Sequence, residues 1–396
     1  MKRFIRLFDA FLAVLLTVVF AFVVYANAAL PGEVTVNNGE TGSFSPLYSF
    51  NSASGVQSVD YQKNGRRSCE LKLLGVVPVK QLTVKKSDPQ RVYVSGRAFG
   101  IKLYTDGVIV VGTQAVSVGA NKVNPSEDAG IKVGDIIVSI NNISVFTSNE
   151  VTRILNENNG ESYKIKVKRD GRYKTFVLTP VYSEREGCYK AGMWVRDSTA
   201  GIGTITFYNK NEGTFASLGH QINDVDTMEI MPLLEGEAVS ATVTRVQKAT
   251  AKSTGSLCCE FNDEVIGVLL DNNENGLYGA YARIDDYARA YTVAPKQEVK
   301  RGAAKIISTV DSGKPQSFDI EITHIRYRNN SSQKDIVFKV TDKELLKLTG
   351  GIVQGMSGSP IIQNGKLVGA VTHVIVSNPE KGYGIFAETM VEESKL

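Results

Sequence analysis

Short apolar strand patterns separated by turn residues fill the C-terminal half of the chain and most constrain its fold. Examples are "TITFYNKNEGTFASL" from Thr204, "DEVIGVLLDNN" from Asp263 and "DIVFKV" from Asp335. "DKELLKLTGG" from Asp342 predicts one short helix among them. Many short strands with frequent turns are typical of a β-barrel or β-sandwich. We therefore predict a mainly β fold with some α for residues 187–396.

Residues 91–183 carry a second pattern, in which short strands alternate with two helices. "AFGIKLYTDGVIVVG" predicts two strands around a turn at Asp106-Gly107. "YKIKVKRDGRYKTFVL" alternates on both sides of Asp170-Gly171, which is typical of a two-residue hairpin. Together these patterns predict a small α+β domain.

The first thirty residues have the composition of an export signal or membrane anchor. Positive charges in "MKRFIR" precede an apolar run over residues 10–25, and small residues follow at Ala26 and Ala28. This run is shorter than the roughly 20 residues that cross a membrane, which favours export with cleavage near Ala28. An uncleaved anchor formed by residues 10–25 is the alternative. In both cases the rest of the chain lies outside the cytoplasm.

Residues 31–90 lack a clear period over most of their length and are rich in Gly, Ser and Asn. We predict a linker or pro-segment with short strands near "LKLLGVVPVKQLTVKK".

Charge and cysteine spacing exclude several classes of partner. The formal net charge is +4 and no long basic run occurs, so no nucleic-acid partner is predicted. The four cysteines lack C-x-x-C spacing, so no metal site is predicted, and their spacing does not demand a disulfide. They are Cys69, Cys188, Cys258 and Cys259.

The segment "GMSGSPIIQNGKLVGAVTH" contains the candidate nucleophile, Ser357. Glycines at 355 and 358 let the backbone bend around this serine, so that the N–H groups of Gly355 and Ser357 can converge as an oxyanion hole. The candidate nucleophile is followed by a proline, a strand, a turn and a second strand, which is the order found in trypsin-like serine proteases. Ser359 replaces the second glycine of the G-x-S-x-G elbow, which argues against an α/β-hydrolase. A tight turn without chemistry is the alternative.

A nucleophilic serine needs a neighbouring base, and the chain has three histidines. His324 alternates with apolar residues in "FDIEITHIR", which predicts a position in the core. His373 lies on an apolar strand, which predicts a structural role or a place in a pocket wall. His220 follows Gly219 at a corner between strand and loop, where catalytic residues concentrate, and is the candidate base.

The sequence leaves the acid of a catalytic triad open. Asp224 and Asp226 follow His220 but also suit a solvated turn, while Asp335 and Asp342 precede Ser357. Asp342 also stands at the start of the predicted helix, where a carboxylate is stabilised electrostatically.

The unit at residues 91–183 resembles a PDZ domain, most clearly in "AGIKVGDIIVSIN". The resemblance implies that "GIKL" is the carboxylate-binding loop, in which backbone N–H groups hold the end of a peptide. This loop consists of Gly100, Ile101, Lys102 and Leu103. A module that docks internally and binds no free peptide is the alternative.

Nearly the whole chain resembles the stage IV sporulation protein B (SpoIVB) peptidase family. The resemblance rests on "FGIKLYTDGVIVVG", "GIGTITFY", "LGHQINDVDT" and "GMSGSPIIQNGKLVGAVTHV", with a PDZ domain before the peptidase. It implies a serine peptidase without a cofactor, whose catalytic residues are His220, Asp342 and Ser357.

The resemblance also implies a place and a role. Family members are exported across the forespore membrane into the space between the two membranes. There they cleave themselves and then a membrane-bound inhibitory regulator of an intramembrane protease, which triggers sigma-factor signalling between compartments during sporulation. Two other functions stay open at this point: a non-catalytic PDZ scaffold and a general quality-control protease of the envelope.

Overall fold

The structure is a computed structural model. It describes residues 2–36, 43–45, 48–49, 66–73, 77–119, 121–157, 159–250, 252–311, 313–327 and 333–396.

The N-terminal part combines one long helix with a small sheet. Helix α1 (Lys2–Ala29) contains a stretch, Arg6–Asn27, that is long and apolar enough to cross a membrane, a test that signal sequences also pass. Ala26 of this helix packs with Val34 and Leu71 of the sheet. The sheet has the order β1-β5-β4-β3-β2, and its strands are β1 (Glu33–Val36), β2 (Ser43–Ser45), β3 (Tyr48–Ser49), β4 (Arg66–Leu73) and β5 (Val77–Lys86).

The predicted linker at residues 31–90 therefore contributes strands β1–β5. Its residues 37–42, 46–47, 50–65 and 74–76 lie outside the described residues.

The next elements include the unit predicted to be α+β. They are β6 (Arg91–Val94), β7 (Ala98–Thr113), β8 (Val116–Val118), β9 (Asn121–Val123), α2 (Pro125–Ala129), β10 (Ile136–Ile140), β11 (Ile143–Ser144), α3 (Ser148–Glu157), β12 (Tyr163–Arg169), β13 (Arg172–Leu178), β14 (Val181–Ser183) and β15 (Cys188–Lys190). Buried side chains of α3, β10 and β12 share one core, among them Ile137, Leu155 and Ile165. Asp170 and Gly171 both have positive φ between β12 and β13, which confirms the predicted hairpin.

The C-terminal part is built mostly from strands, three of which have 15 to 18 residues. The strands are β16 (Met193–Asn209), β17 (Thr214–Ser217), β18 (Leu233–Gln247), β19 (Ser256–Asn273), β20 (Gly276–Tyr281), β21 (Arg289–Val293), β22 (Gly302–Ser308), β23 (Gln316–Ile325), β24 (Ile336–Val340), β25 (Pro360–Gln363), β26 (Lys366–Val374) and β27 (Lys381–Phe386). A 3-10 turn (Lys296–Glu298) and helices α4 (Lys343–Thr349) and α5 (Ala387–Glu393) interrupt them.

These strands close into a barrel that also takes in β6, β7 and β10–β13. Two apolar clusters fill most of the C-terminal part. The first includes Phe99, Ile205 and Phe215, and the second includes Phe318 and Phe338. The predicted fold class, mainly β with some α and a small α+β unit before the C-terminal strands, is confirmed.

Two local predictions were wrong, and a β-bulge explains each. Strand β7 runs through Asp106-Gly107 without ending: Arg196 pairs with Ile109 and Ser198 with Tyr104, so extra residues of β7 bulge at this point. The pairing of β23 with β24 shifts between Ile322 and His324, which breaks the alternation. His324 is therefore exposed and contacts Arg301 instead of entering the core. An extra residue bends a strand and re-aims its side chains without ending it.

Candidate active site

Ser357 lies on a turn that is held from both sides by hydrogen bonds. Gly355 and Gly358 have φ of +96° and +92°, as the sequence predicted for a tight bend. The hydroxyls of Thr204 and Thr206 donate to the carbonyls of Gly355 and Gly358 at 2.8 and 2.7 Å. A side chain at Gly358 would place its Cβ 2.0 Å from the Thr204 carbonyl oxygen, so this position requires glycine.

The two serines of the segment have different surroundings. Ser359 is fully buried, and its hydroxyl donates to the Ser308 hydroxyl at 3.0 Å. Ser357 is half-buried, and its hydroxyl donates to the Thr372 carbonyl at 2.8 Å. Ser357 lines a cavity and Ser359 does not.

His220 lines the same cavity of about 600 Å³. It follows β17 after two residues with positive φ, Leu218 (64°) and Gly219 (70°), which turn the chain out of the strand. Its Nδ1 atom lies 2.8 Å from the Gln221 carbonyl oxygen. Because a carbonyl only accepts hydrogen bonds, this contact requires the proton on Nδ1 and leaves the Nε2 lone pair available. Burial lowers the pKa of His220, although the Gln221 carbonyl opposes the shift.

The N–H groups of Gly355 and Ser357 are available at this cavity. Both residues line it, and within the described part of the chain neither N–H donates a hydrogen bond. Their neighbours are engaged: Met356 N–H donates to the Val353 carbonyl and Gly358 N–H to the Val371 carbonyl. Free donors beside a nucleophile are what an oxyanion hole requires.

His373 is a second histidine in the cavity wall, in line with the pocket-wall role that was one of its two predicted roles. Its ring centroid lies 4.8 Å from that of His220. Its Nδ1 atom is buried and, among the described residues, has no hydrogen-bond partner. Burial, followed by the proximity of His220 and Lys334, lowers the pKa of His373 to about 4. No pattern in the sequence predicted that these two histidines meet.

The four candidate acids have other surroundings, and none of them lines the cavity. Asp342 caps α4: its carboxylate accepts the N–H groups of Glu344 and Leu345 at 3.0 Å and that of Asp319 at 3.2 Å. Burial alone would raise the pKa of Asp342, but these N–H groups outweigh it and lower the pKa. Asp335 is buried just before β24.

Asp224 and Asp226 both pair with Arg196. The Asp224 carboxylate is buried and also accepts the N–H groups of Asp226 and Thr227 at 3.0 and 2.9 Å. Burial would raise the pKa of Asp224, but the Thr227 N–H and Arg196 lower it. These contacts tie Asp224 into the loop after His220.

The segment predicted as a carboxylate-binding loop is part of a paired strand. Gly100, Ile101, Lys102 and Leu103 lie in β7, which pairs with β16 on one edge and with β18 on the other. Gly100, Ile101 and Leu103 are buried. This local interpretation of the PDZ resemblance needs correction, because a strand paired on both edges has no row of free N–H groups for a peptide.

Two curated proteins are similar to part of the chain. A putative zinc metalloprotease of Clostridium acetobutylicum is 37% identical over 100 residues, which is 25% of this chain and 26% of that protein. A putative zinc metalloprotease of Lactococcus lactis is 27% identical over 122 residues, 31% of this chain and 26% of that protein. The chain thus spans about a quarter of the length of each relative. None of its histidines opens an H-E-x-x-H motif.

Two family models match the chain in the order that the sequence predicted. A PDZ domain matches residues 121–169. The SpoIVB peptidase S55 model matches residues 187–391, more than half of the chain, and this range contains both Ser357 and His220. The chain therefore belongs to the SpoIVB peptidase S55 family.

Proposed function

We propose that the chain is an exported serine endopeptidase with Ser357 as nucleophile and His220 as general base. One observation carries the proposal: these two side chains, far apart in the sequence, line one cavity together with the unengaged N–H groups of Gly355 and Ser357. A serine hydroxyl is a weak nucleophile until a neighbouring base takes its proton.

The reaction is acyl transfer. The Ser357 hydroxyl turns from the Thr372 carbonyl towards Nε2 of His220, which takes the proton as Oγ attacks the peptide carbonyl. The N–H groups of Gly355 and Ser357 stabilise the oxyanion. His220 then donates the proton to the leaving amine, and water releases the acyl group by the same steps.

The orientation of His220 has two candidate sources. The Gln221 carbonyl accepts the Nδ1 proton and so fixes the ring with Nε2 unprotonated. Asp342 enters the proposal as the acid on the family resemblance alone, since its carboxylate caps α4. Asp224 supports the loop after His220 through Arg196.

We propose that the first substrates are the chain itself and a membrane-bound inhibitory regulator of an intramembrane protease. Cleavage in the space between the forespore and mother-cell membranes would then start sigma-factor signalling. An anchor that is retained suits a membrane-bound substrate. It is supported by Ala26, which is buried against the sheet, and by the Lys80 ammonium, which donates to the carbonyls of Asn27 and Leu30 at 2.8 and 2.7 Å.

Self-processing tests the proposal. We expect the full-length chain to yield shortened products in intact-mass spectra, and Ser357→Ala to yield none while keeping its melting temperature. Ser359→Ala is the matched control and should still process, because Ser359 lies outside the cavity.

Normal signalling by Ser357→Ala would instead support a non-catalytic scaffold. Digestion of many unfolded proteins at many bonds would support a quality-control protease.

A further inference from the structure

Apolar side chains form a large part of the wall of the cavity beside Ser357. They include Ile202, Leu218, Ile222, Leu257, Ile352 and Val353. Among the described residues, no Asp, Glu, Lys or Arg lines this cavity. Uncharged polar side chains share this wall, among them Thr199, Asn223 and Gln354. A charged substrate side chain would still find no carboxylate, ammonium or guanidinium there to offset its lost hydration, whereas an apolar one would leave water favourably.

A missing side chain keeps this cavity open. Gly201 lies in its wall, and a Cβ added there would meet no atom within 4 Å. Gly203, two residues on and thus on the same face of β16, would place its Cβ 2.4 Å from Leu218, which is also in the wall. Gly201 therefore lies in the cavity wall on the face of β16 that Leu218 covers at Gly203, and at Gly201 that face is open.

The backbone of Gly201 does not by itself require glycine. It is not among the glycines with positive φ, unlike Gly355 and Gly358. Any L-residue can adopt its conformation, so the absent side chain matters for the space that it leaves.

The cavity reaches the reacting atoms. Ser357 and His220 line it together with Gly201, and the Thr204 N–H, three residues after Gly201, donates to the Ser357 carbonyl at 2.9 Å. A side chain in this space therefore belongs to a substrate residue next to the cleaved bond.

From these observations we infer that the cavity is the specificity pocket for an uncharged, bulky aliphatic or aromatic substrate residue adjacent to the scissile bond, and that Gly201 sets its depth. The inference rests on the proposed serine peptidase and names the chemistry of its substrate.

The substrate series is measured first. Full-length protein in detergent is incubated with a library of unfolded peptides, and the residues flanking each cut are read by mass spectrometry. Peptides based on one cut site are then made with Leu, Ala, Asp or Lys at the selected position. We expect kcat/KM to fall about 10- to 200-fold from Leu to Ala and by more than about 100-fold from Leu to Asp or Lys.

The pocket is then made smaller by substituting Gly201 with larger residues. We expect Gly201→Leu to lower kcat/KM for the Leu peptide by at least about 30-fold and for the Ala peptide by much less, with Gly201→Ala in between. Gly112→Leu is the matched control. Gly112 also lies in a strand, has no positive φ and is outside the cavity, and a Cβ added there would lie 3.5 Å from Trp194, an ordinary contact distance. It should leave both rates unchanged.

The outcomes separate the two proposals. If a small fluorophosphonate labels Ser357 but the peptides with Leu, Ala, Asp and Lys are cleaved equally, or those with Asp or Lys are cleaved best, the pocket inference alone is overturned. Absence of both labelling and cleavage overturns the proposed function and the inference with it. Thermal unfolding will show whether Gly201→Leu folds. If it does not, Gly201→Ala and the peptide series on the unmodified protein test the pocket inference instead.

Discussion

The two segments that the sequence singled out for binding differ in whether their backbone is free. At the Ser357 turn, the N–H groups of Gly355 and Ser357 are unengaged beside an open cavity. At residues 100–103, strands pair with both edges of β7. Both segments are rich in glycine, so the comparison teaches that a glycine motif marks a binding site only where the fold leaves backbone donors without partners.

The largest effect that tests this comparison is expected at His220. His220→Ala should lower the peptidase rate by about a thousandfold or more, since Ser357 then loses its base. The melting temperature should change little, because His220 is only half-buried. The exposed His324 offers the control, and His324→Ala should keep full activity. A His220→Ala protein with more than a tenth of normal activity would remove His220 from the mechanism.

The next effect concerns the paired strand. A Cβ at Gly100 would lie 2.8 Å from side chains of Phe261 and Val239, so Gly100→Val should lower the free energy of unfolding by about 1–3 kcal/mol. Denaturant unfolding measures this change. Lys102→Ala, which removes only an exposed pair with Glu237, should change it by less than about 0.5 kcal/mol. Equal stability of both variants would mean that residues 100–103 form an open loop after all.

A smaller effect is expected at Asp342, which caps α4 and to which the family resemblance gives the role of the acid. Asp342→Ala should lower the free energy of unfolding by about 1 kcal/mol because α4 loses its cap, whereas asparagine caps nearly as well as aspartate. Asp342→Asn therefore keeps the helix cap while removing the carboxylate that a catalytic acid needs. The acid role that the resemblance implies requires this folded variant to lose most of its self-processing, and full self-processing contradicts that role.

The smallest effect is expected from mild acid. Burial lowers the pKa of His220 below the ordinary 6.5, so the imidazole stays mostly neutral and able to accept a proton at pH 6.5. The kcat/KM value should therefore fall by less than about twofold between pH 7.5 and 6.5, and more steeply below. A pH–rate profile whose acid limb is centred above pH 6.5 would contradict this environment for His220.

Acid should also weaken the fold through the second histidine. The pKa of His373 is lowered to about 4, so the unfolded chain binds a proton more readily between pH 6.5 and 4. Stability should therefore fall as the pH drops through this window, and His373→Asn should reduce that dependence in thermal unfolding scans. An unchanged slope in this variant would show that His373 is not held neutral by the fold.

Local sequence rules predicted the features that depend on neighbouring residues. The hairpin at Asn364-Gly365 joins β25 and β26 with positive φ at both residues, as the Asn-Gly pair indicates. The bend around Ser357 follows from Gly355 and Gly358 in the same way. These conformations depend on the residues themselves.

Features that depend on distant partners could not be predicted from the sequence alone. Residues 100–103 look like a loop motif until β16 and β18, each encoded far downstream, pair with both edges. His324 leaves the core because of a bulge that no residue type announces. His373 meets His220 because β26 and the end of β17 approach the same cavity.

Labelling with a fluorophosphonate tests the central claim most directly, since the reagent reacts with a serine hydroxyl only where a base and an oxyanion hole activate it. The full-length chain and its His220→Ala variant are treated alike, and the modified peptide is located by mass spectrometry. We predict one label per chain at Ser357, and little or none in His220→Ala. Labelling at Ser359, or equal labelling of Ser357 in both proteins, would contradict the account.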